Sequence, residues 1–296
     1  MSTLPNLKSL PFGGAGPIRD KLQLETIANL KLDYNQILQD DGISYEFLET
    51  YYNWIRSTKL NTIKGIELFT FKCYSNGTTE AFDKFYLKHN RRRLRMFKGE
   101  YMYHILTARN CFPNFAYLEN ERIEKYDAVV ISLPFADTGN VHNDLNFVLD
   151  MCTQLNVPVL IDCAFFGICQ NINFEFTWPC IEQITFSLSK SFPISNARIG
   201  MRLTRTDDDD PLFVMNKSNY TNRIGAAIGI ELLKQYEADY IVSKYNEHQL
   251  KYCEELKATP SSTIIFGLGG AEYHQYDRGA GNHRLSFYRY LGDLFD

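Results

Sequence analysis

A chain of 296 residues with 45% hydrophobic side chains can supply a substantial core, enough for one large domain and a smaller one. Its net charge of -4 gives no general attraction to nucleic acid or to an anionic membrane, which leaves small-molecule chemistry as the expected business. Seven cysteines without a C-x-x-C pair are expected to be reduced thiols. No apolar run approaches the roughly 18 to 20 residues of a membrane span, and the Met-Ser-Thr-Leu-Pro start lacks a signal pattern, so a cytoplasmic protein without membrane or nucleic-acid partners is expected.

Residues 1 to about 20 are punctuated by Pro and Gly, most densely at 11–17, and read as an arm laid on the rest of the chain. A helical pattern begins at Leu22 and breaks near Gly42. The next helix, 44–56, is expected to carry Ser44 as N-cap and Glu46 in its first turn, where the helix dipole favours a carboxylate. Between 63 and 205 short apolar runs at 66–71, 94–97, 128–133, 157–161 and 184–186 alternate with helical stretches. That alternation predicts a mostly parallel sheet covered by helices, with ligands at the carboxyl ends of the strands. The chemically promising residues fall there: Gly77 to Thr79, Tyr101, Thr138 with Gly139, Asp162 and Lys190. The basic run 91–95 is read as a solvated helix end and the acidic run 207–210 as a solvated turn. Helical spacing over 224–240 leads into a small C-terminal domain, giving an expected division into an arm and helix (1–40), a large domain (41–215) and a small one (216–296).

The segment Ser187-Leu188-Ser189-Lys190, followed by Arg198 and Gly200, is the centre of the functional reading. A lysine desolvated at a strand end has a depressed pKa and a nucleophilic amine, and the serines with Arg198 suit a phosphate. A surface lysine in a Ser-rich loop is the competing account. Gly77, Thr78 and Thr79 open a helix after Ser75-Asn76 and could cradle an anion or simply cap that helix. Asp162, at the end of an apolar run, must be paired or functional if buried.

Taken together, S-x-S-K with its arginine and glycine, Asp162-Cys163-Ala164-Phe165, Pro134-Phe135-Ala136-Asp137-Thr138-Gly139 and Asn282-His283-Arg284 resemble, in order, the motifs of fold-type I pyridoxal-phosphate (PLP) enzymes, the aminotransferase class I/II superfamily. The resemblance implies a seven-stranded, mostly parallel sheet in the large domain and a trimmed C-terminal α/β domain. It further implies an aminotransferase acting on an amino acid through a Lys190 Schiff base, with Asp162 on the pyridine nitrogen and Tyr101 stacked on the ring. Gly77, Thr78, Thr79, Ser187, Ser189 and Arg198 would hold the phosphate, Thr138 and Phe165 would also contact the cofactor, and Arg284 with Gly14 would bind substrate. No metal is implied; a homodimer is. A PLP lyase or decarboxylase, or a non-catalytic PLP-binding regulatory homologue, would use the same residues. The chain departs from the family at Ala136 and Phe165, where an asparagine and a tyrosine usually donate to the phenolic oxygen, and Asp137 lies near enough in sequence to compensate.

Overall fold

The computed structural model describes residues 14–207 and 210–292. Positions 11–13 of the glycine-rich arm, and Asp208 and Asp209 of the acidic run, lie outside the described residues. The helices are α1 (Lys21–Ala28), α2 (Tyr34–Gln39), α3 (Ile43–Arg56), α4 (Gly77–Lys88), α5 (Met102–Cys111), α6 (Leu145–Leu155), α7 (Pro211–Lys217), α8 (Arg223–Gln235) and α9 (Tyr240–Glu255). The strands are β1 (Thr62–Lys64), β2 (Phe71–Ser75), β3 (Arg93–Met96), β4 (Phe115–Tyr117), β5 (Asp127–Ser132), β6 (Val159–Asp162), β7 (Asn173–Glu175), β8 (Ile181–Ser187), β9 (Gly200–Thr204), β10 (Thr259–Pro260), β11 (Phe266–Gly269) and β12 (His283–Ser286).

Seven strands form the expected sheet, in the order β2-β9-β8-β6-β5-β3-β4. Pairings among β4, β3, β5, β6 and β8 are parallel; β9 runs antiparallel to both β8 and β2. Both faces are covered, so β5 and β6 are buried throughout and read as continuous runs rather than alternations. Side chains nevertheless alternate between two cores. Val129 and Ile131 of β5 join a core with α3, α6 and α8, while Ala128 and Val130 face Phe82 and Phe85 of α4 and Ile105 of α5. A third core gathers Tyr245 and Cys253 of α9, Phe266 of β11 and Leu285 of β12, and it reaches back to Ile18 and Phe165. The C-terminal sheet is only three strands, β10-β11-β12, all antiparallel.

Several local expectations change in the folded chain. The run at 66–71 is not one strand: Gly65, at φ +77, turns the chain into a 3-10 helix at Ile66–Leu68, and the strand is β2. A Cβ at Gly65 would lie 2.7 Å from the Thr177 amide nitrogen, so this turn needs glycine. Gly42, not Ser44, is the N-cap of α3; Ser44 is buried in the helix with its hydroxyl against that of Thr221. Glu46 does sit in the first turn, 2.8 Å from Lys234.

The basic run is not a solvated helix end. Arg95 is 0% exposed, with Nη1 2.7 Å from Asp127 Oδ2 and Nε donating to Ala116 O at 3.0 Å. Asp127 also takes Arg93 Nε at 2.7 Å. Nor is the acidic run wholly solvated: Asp210 caps α7, accepting from the Phe213 amide at 2.9 Å, and pairs with the buried Arg202. In both places tertiary pairing replaces the solvent that charged runs ordinarily meet.

Candidate active site

Loops leaving the carboxyl ends of the parallel strands surround a cavity, as the open α/β rule requires. On its wall are Thr78 and Thr79 from α4, Tyr101 before α5, Asp162 ending β6, Phe165, then Ser189, Lys190 and Arg198 between β8 and β9, and Arg284 of β12. The wall is completed by residues that motif matching did not select, including Ala15, Ser132 and Arg278.

Lys190 follows β8 in a tight turn, and among the described residues its amine has no hydrogen bond or ion pair. Burial pushes the amine pKa down; Asp162 opposes this and Arg198 adds to it. A neutral, nucleophilic amine is therefore accessible at lower pH than for a solvated lysine.

Asp162 is 3% exposed and its Oδ1 accepts from the Ala164 amide at 3.0 Å. Behind it lies His104, wholly buried in the first turn of α5, with Nε2 3.6 Å from Asp162 Oδ2. His104 Nδ1 is hydrogen-bonded to the Tyr86 hydroxyl. Burial, with Asp162 and other acidic groups adding to it, pushes the Tyr86 phenol up, and the imidazole presents Nε2 towards Asp162. Among the described residues Nε2 has no hydrogen-bond partner within the usual distance.

A second corner is built for an anion. Helix α4 starts with free amide N–H groups, and its N-cap, Asn76, makes no side-chain capping bond because its side chain is turned to Glu80 Oε2, 3.0 Å away. Arg198 Nη2 donates to Thr79 Oγ1 at 3.0 Å. Gly77, at φ +74, allows this approach: a Cβ there would lie 2.8 Å from Arg198 Cζ. Ser187 is buried off the wall, donating its hydroxyl to Ser189 Oγ at 2.9 Å.

At the opposite side Arg284 donates Nη1 to Ala136 O, and its guanidinium lies 4.1 Å above the Phe266 ring. Burial pushes its pKa down to about 9, Arg278 adding to the effect and Asp137 opposing it. The Phe165 ring packs on the same Phe266, 5.4 Å between centroids.

Some expected residues are elsewhere. Thr138 and Gly139 are off the wall and bind the loop between β10 and β11 instead: Thr138 O accepts from Ser261 Oγ at 2.7 Å, and Gly139 O from the Thr263 amide at 3.0 Å. Gly14 is half-buried, and its neighbour Ala15 takes the wall position. Asp137 does not turn towards the cavity; its carboxylate takes Asn282 Nδ2 at 2.8 Å and faces Arg278. Of the three aromatic rivals after Glu100, Tyr101 is on the wall, Tyr103 donates to Asp83 Oδ1 at 2.8 Å, and His104 is behind Asp162.

Ser132, the last residue of β5 and the partner of Asp162 in register, hydrogen-bonds through both its amide (3.0 Å) and its hydroxyl to the buried carboxyl of Glu100. Burial pushes the Glu100 pKa up, against the pull of His104 and these hydrogen bonds. The sequence signal was slight: a lone carboxylate between a glycine and a helix.

No family model matches the chain, and no curated protein does. Solved structures do. The structure of MppP soaked with the product 2-ketoarginine superimposes with a TM-score of 0.69 at 12% identity, covering 95% of this chain and 94% of that one. A probable N-succinyldiaminopimelate aminotransferase from Thermus thermophilus gives 0.66 at 15% identity, over 95% and 90%. The PLP-bound C-S lyase from Staphylococcus hominis, complexed with L-cycloserine, gives 0.65 at 12% identity, over 97% and 86%. The chain has the fold that these aminotransferase and PLP-lyase structures share.

Proposed function

We propose that the protein is a PLP-dependent enzyme of the aminotransferase type, acting on an amino acid. The observation that carries this is Lys190: a desolvated amine with no described partner, on one cavity wall with the Asp162 carboxylate and an anion corner. The residues present fit the cofactor. The uncapped start of α4 with Thr78, Thr79, Ser189 and Arg198 offers donors for a phosphate, and the glycine at 77 lets the Arg198 guanidinium approach that helix start. Asp162, with His104 Nε2 3.6 Å behind it, offers a carboxylate for the pyridine nitrogen. Tyr101, on the cavity wall, would cover the ring, and Lys190 would anchor the cofactor covalently.

When bound, PLP supplies an electron sink that stabilises negative charge at the substrate α-carbon. Asp162 keeps the pyridine nitrogen protonated, which that role needs. Arg284 orients the substrate by its carboxylate through a planar fork. Lys190 Nζ, with its pKa lowered by burial, would take and return the α-proton at a lower pH than a solvated lysine could. A homodimer and a cytoplasmic setting belong to the same reading: Met102 and Leu106 expose apolar surface beside Tyr101 for a partner, and all seven cysteines are unpaired thiols.

The test is the visible spectrum of the purified protein with added PLP, followed by a screen of amino acids for conversion to the pyridoxamine form. Release of ammonia with a keto acid, and no pyridoxamine form, would assign lyase chemistry instead. Absence of any visible band would overturn the proposal.

A further inference from the structure

Arg278 shares the cavity wall with Arg284, and the two guanidiniums converge on one atom. Each donates Nη1 to the carbonyl oxygen of Ala136, Arg278 at 3.1 Å. Arg278 also donates Nη2 to Glu100 O at 3.3 Å, and its Nη1 lies 3.5 Å from Asp137 Oδ1. Its backbone is fixed by the turn that follows: the Asp277 carboxylate accepts from the amides of Gly279 at 2.8 Å, Ala280 at 3.2 Å and Gly281 at 3.0 Å. An arginine carries five N–H donors, and carbonyl oxygens take two of those on Arg278, so donors are left for a ligand.

Two cations this close in a poorly hydrated site repel each other unless opposite charge is brought in. Beside Arg278 lies the Asp137 carboxylate, held on its other oxygen by Asn282 at 2.8 Å and, among the described residues, with no hydrogen bond to Oδ1. Asp137 thus faces the Arg278 guanidinium at the edge of the shared acceptor. Arg198, the other guanidinium on the wall, is committed to Thr79 at the anion corner. Guanidiniums that share an acceptor oxygen are placed for one carboxylate between them, not for two carried at opposite ends of a diacid.

We propose that Arg278 is a second carboxylate-binding residue, which with Arg284 holds a single substrate carboxylate, Asp137 serving as its counter-ion. The substrate class is then an amino acid presenting one anionic group at this end. The proposal rests on the PLP reading above, and the experiment separates the two. PLP-loaded protein is mixed with aminooxyacetate or with O-methylhydroxylamine, which react alike with the cofactor carbonyl and differ in the carboxylate; the rate is read from the visible band. Arg278→Gln should slow aminooxyacetate by about tenfold or more, the loss typical of a charged hydrogen bond, and change O-methylhydroxylamine less than about twofold. Equal slowing of both probes, or of neither, would overturn the clamp while leaving the PLP reading intact. Should Arg278→Gln fail to fold, Arg278→Lys keeps the charge without the fork and is expected to lose several-fold on aminooxyacetate alone, with the same overturning outcomes. A wild-type protein that gains no visible band would overturn both proposals.

Discussion

The two ends of the central sheet use the same kinds of residue to opposite effect. At the amino end of β5, Asp127 is wholly buried and takes Arg93 and Arg95, and Arg95 spends its remaining donors on the carbonyls of Ala116, Tyr117, Glu121 and Arg122. At the carboxyl end of the adjacent β6, Asp162 is nearly as buried but has only a backbone amide within 3.0 Å, a histidine at 3.6 Å, and a cavity in front. Burial of charge is common to both. What separates a structural cluster from a candidate site is whether the protein itself satisfies every donor and acceptor.

The sharpest break in this comparison is expected at Lys190. Lys190→Ala should lose turnover by about 10^4-fold, the upper range for a positioned acid–base group, and borohydride treatment should leave no pyridoxyl label on any lysine. A label on another lysine would remove Lys190 from its proposed role. In the wild type, the lowered amine pKa should let PLP uptake reach its maximal rate at lower pH than a solvated lysine would allow.

At the other end, Asp127→Ala should cost about 3–5 kcal/mol of stability, because it leaves Arg95 buried without its counter-charge. Thermal unfolding would show this as a clearly lower Tm, while turnover per folded molecule stays near wild type. A Tm within a degree of wild type would mean the carbonyl bonds alone satisfy Arg95.

Asp162→Ala reverses that pattern. Turnover should fall by about 10^2 to 10^3-fold, the scale of one lost electrostatic stabiliser, with some PLP retained and a small change in Tm. Near wild-type turnover would show that no carboxylate is needed at the end of β6.

The smallest effect is expected at Phe165, which lies on the wall where a hydroxyl is usual in the resembling family. Asp137, the obvious substitute, is engaged with Asn282 and Arg278 instead. Phe165→Tyr should therefore move the pH titration of the visible band down by about one pKa unit, or roughly 1.4 kcal/mol. The sign follows because a donor to the phenolic oxygen stabilises its anionic form, and so favours loss of the proton on the Lys190-linked nitrogen. An unchanged or raised midpoint would place Phe165 away from that oxygen.

The sequence by itself determined the inner strands β3, β5, β6 and β8, with Asp162 and Lys190 at their carboxyl edge. Runs such as 128–133 and 157–161 are too apolar for anything but strands covered on both faces, and chain connectivity then brings Asp162 and Lys190 to one edge. Local pattern also placed Thr78 and Thr79 at a helix start. Tertiary structure decided the rest, because it turns on partners far away in sequence. Asp137 takes Asn282 instead of facing the cavity, Thr138 binds the loop between β10 and β11, and Arg95 is buried because Asp127 and the carbonyls in and after β4 surround it. Arg278 and Glu100 carry no periodic or motif signal at all. Their importance comes from where a guanidinium or carboxyl group ends up once water is excluded, and single-residue electrostatics of that kind is fixed only when the chain has packed.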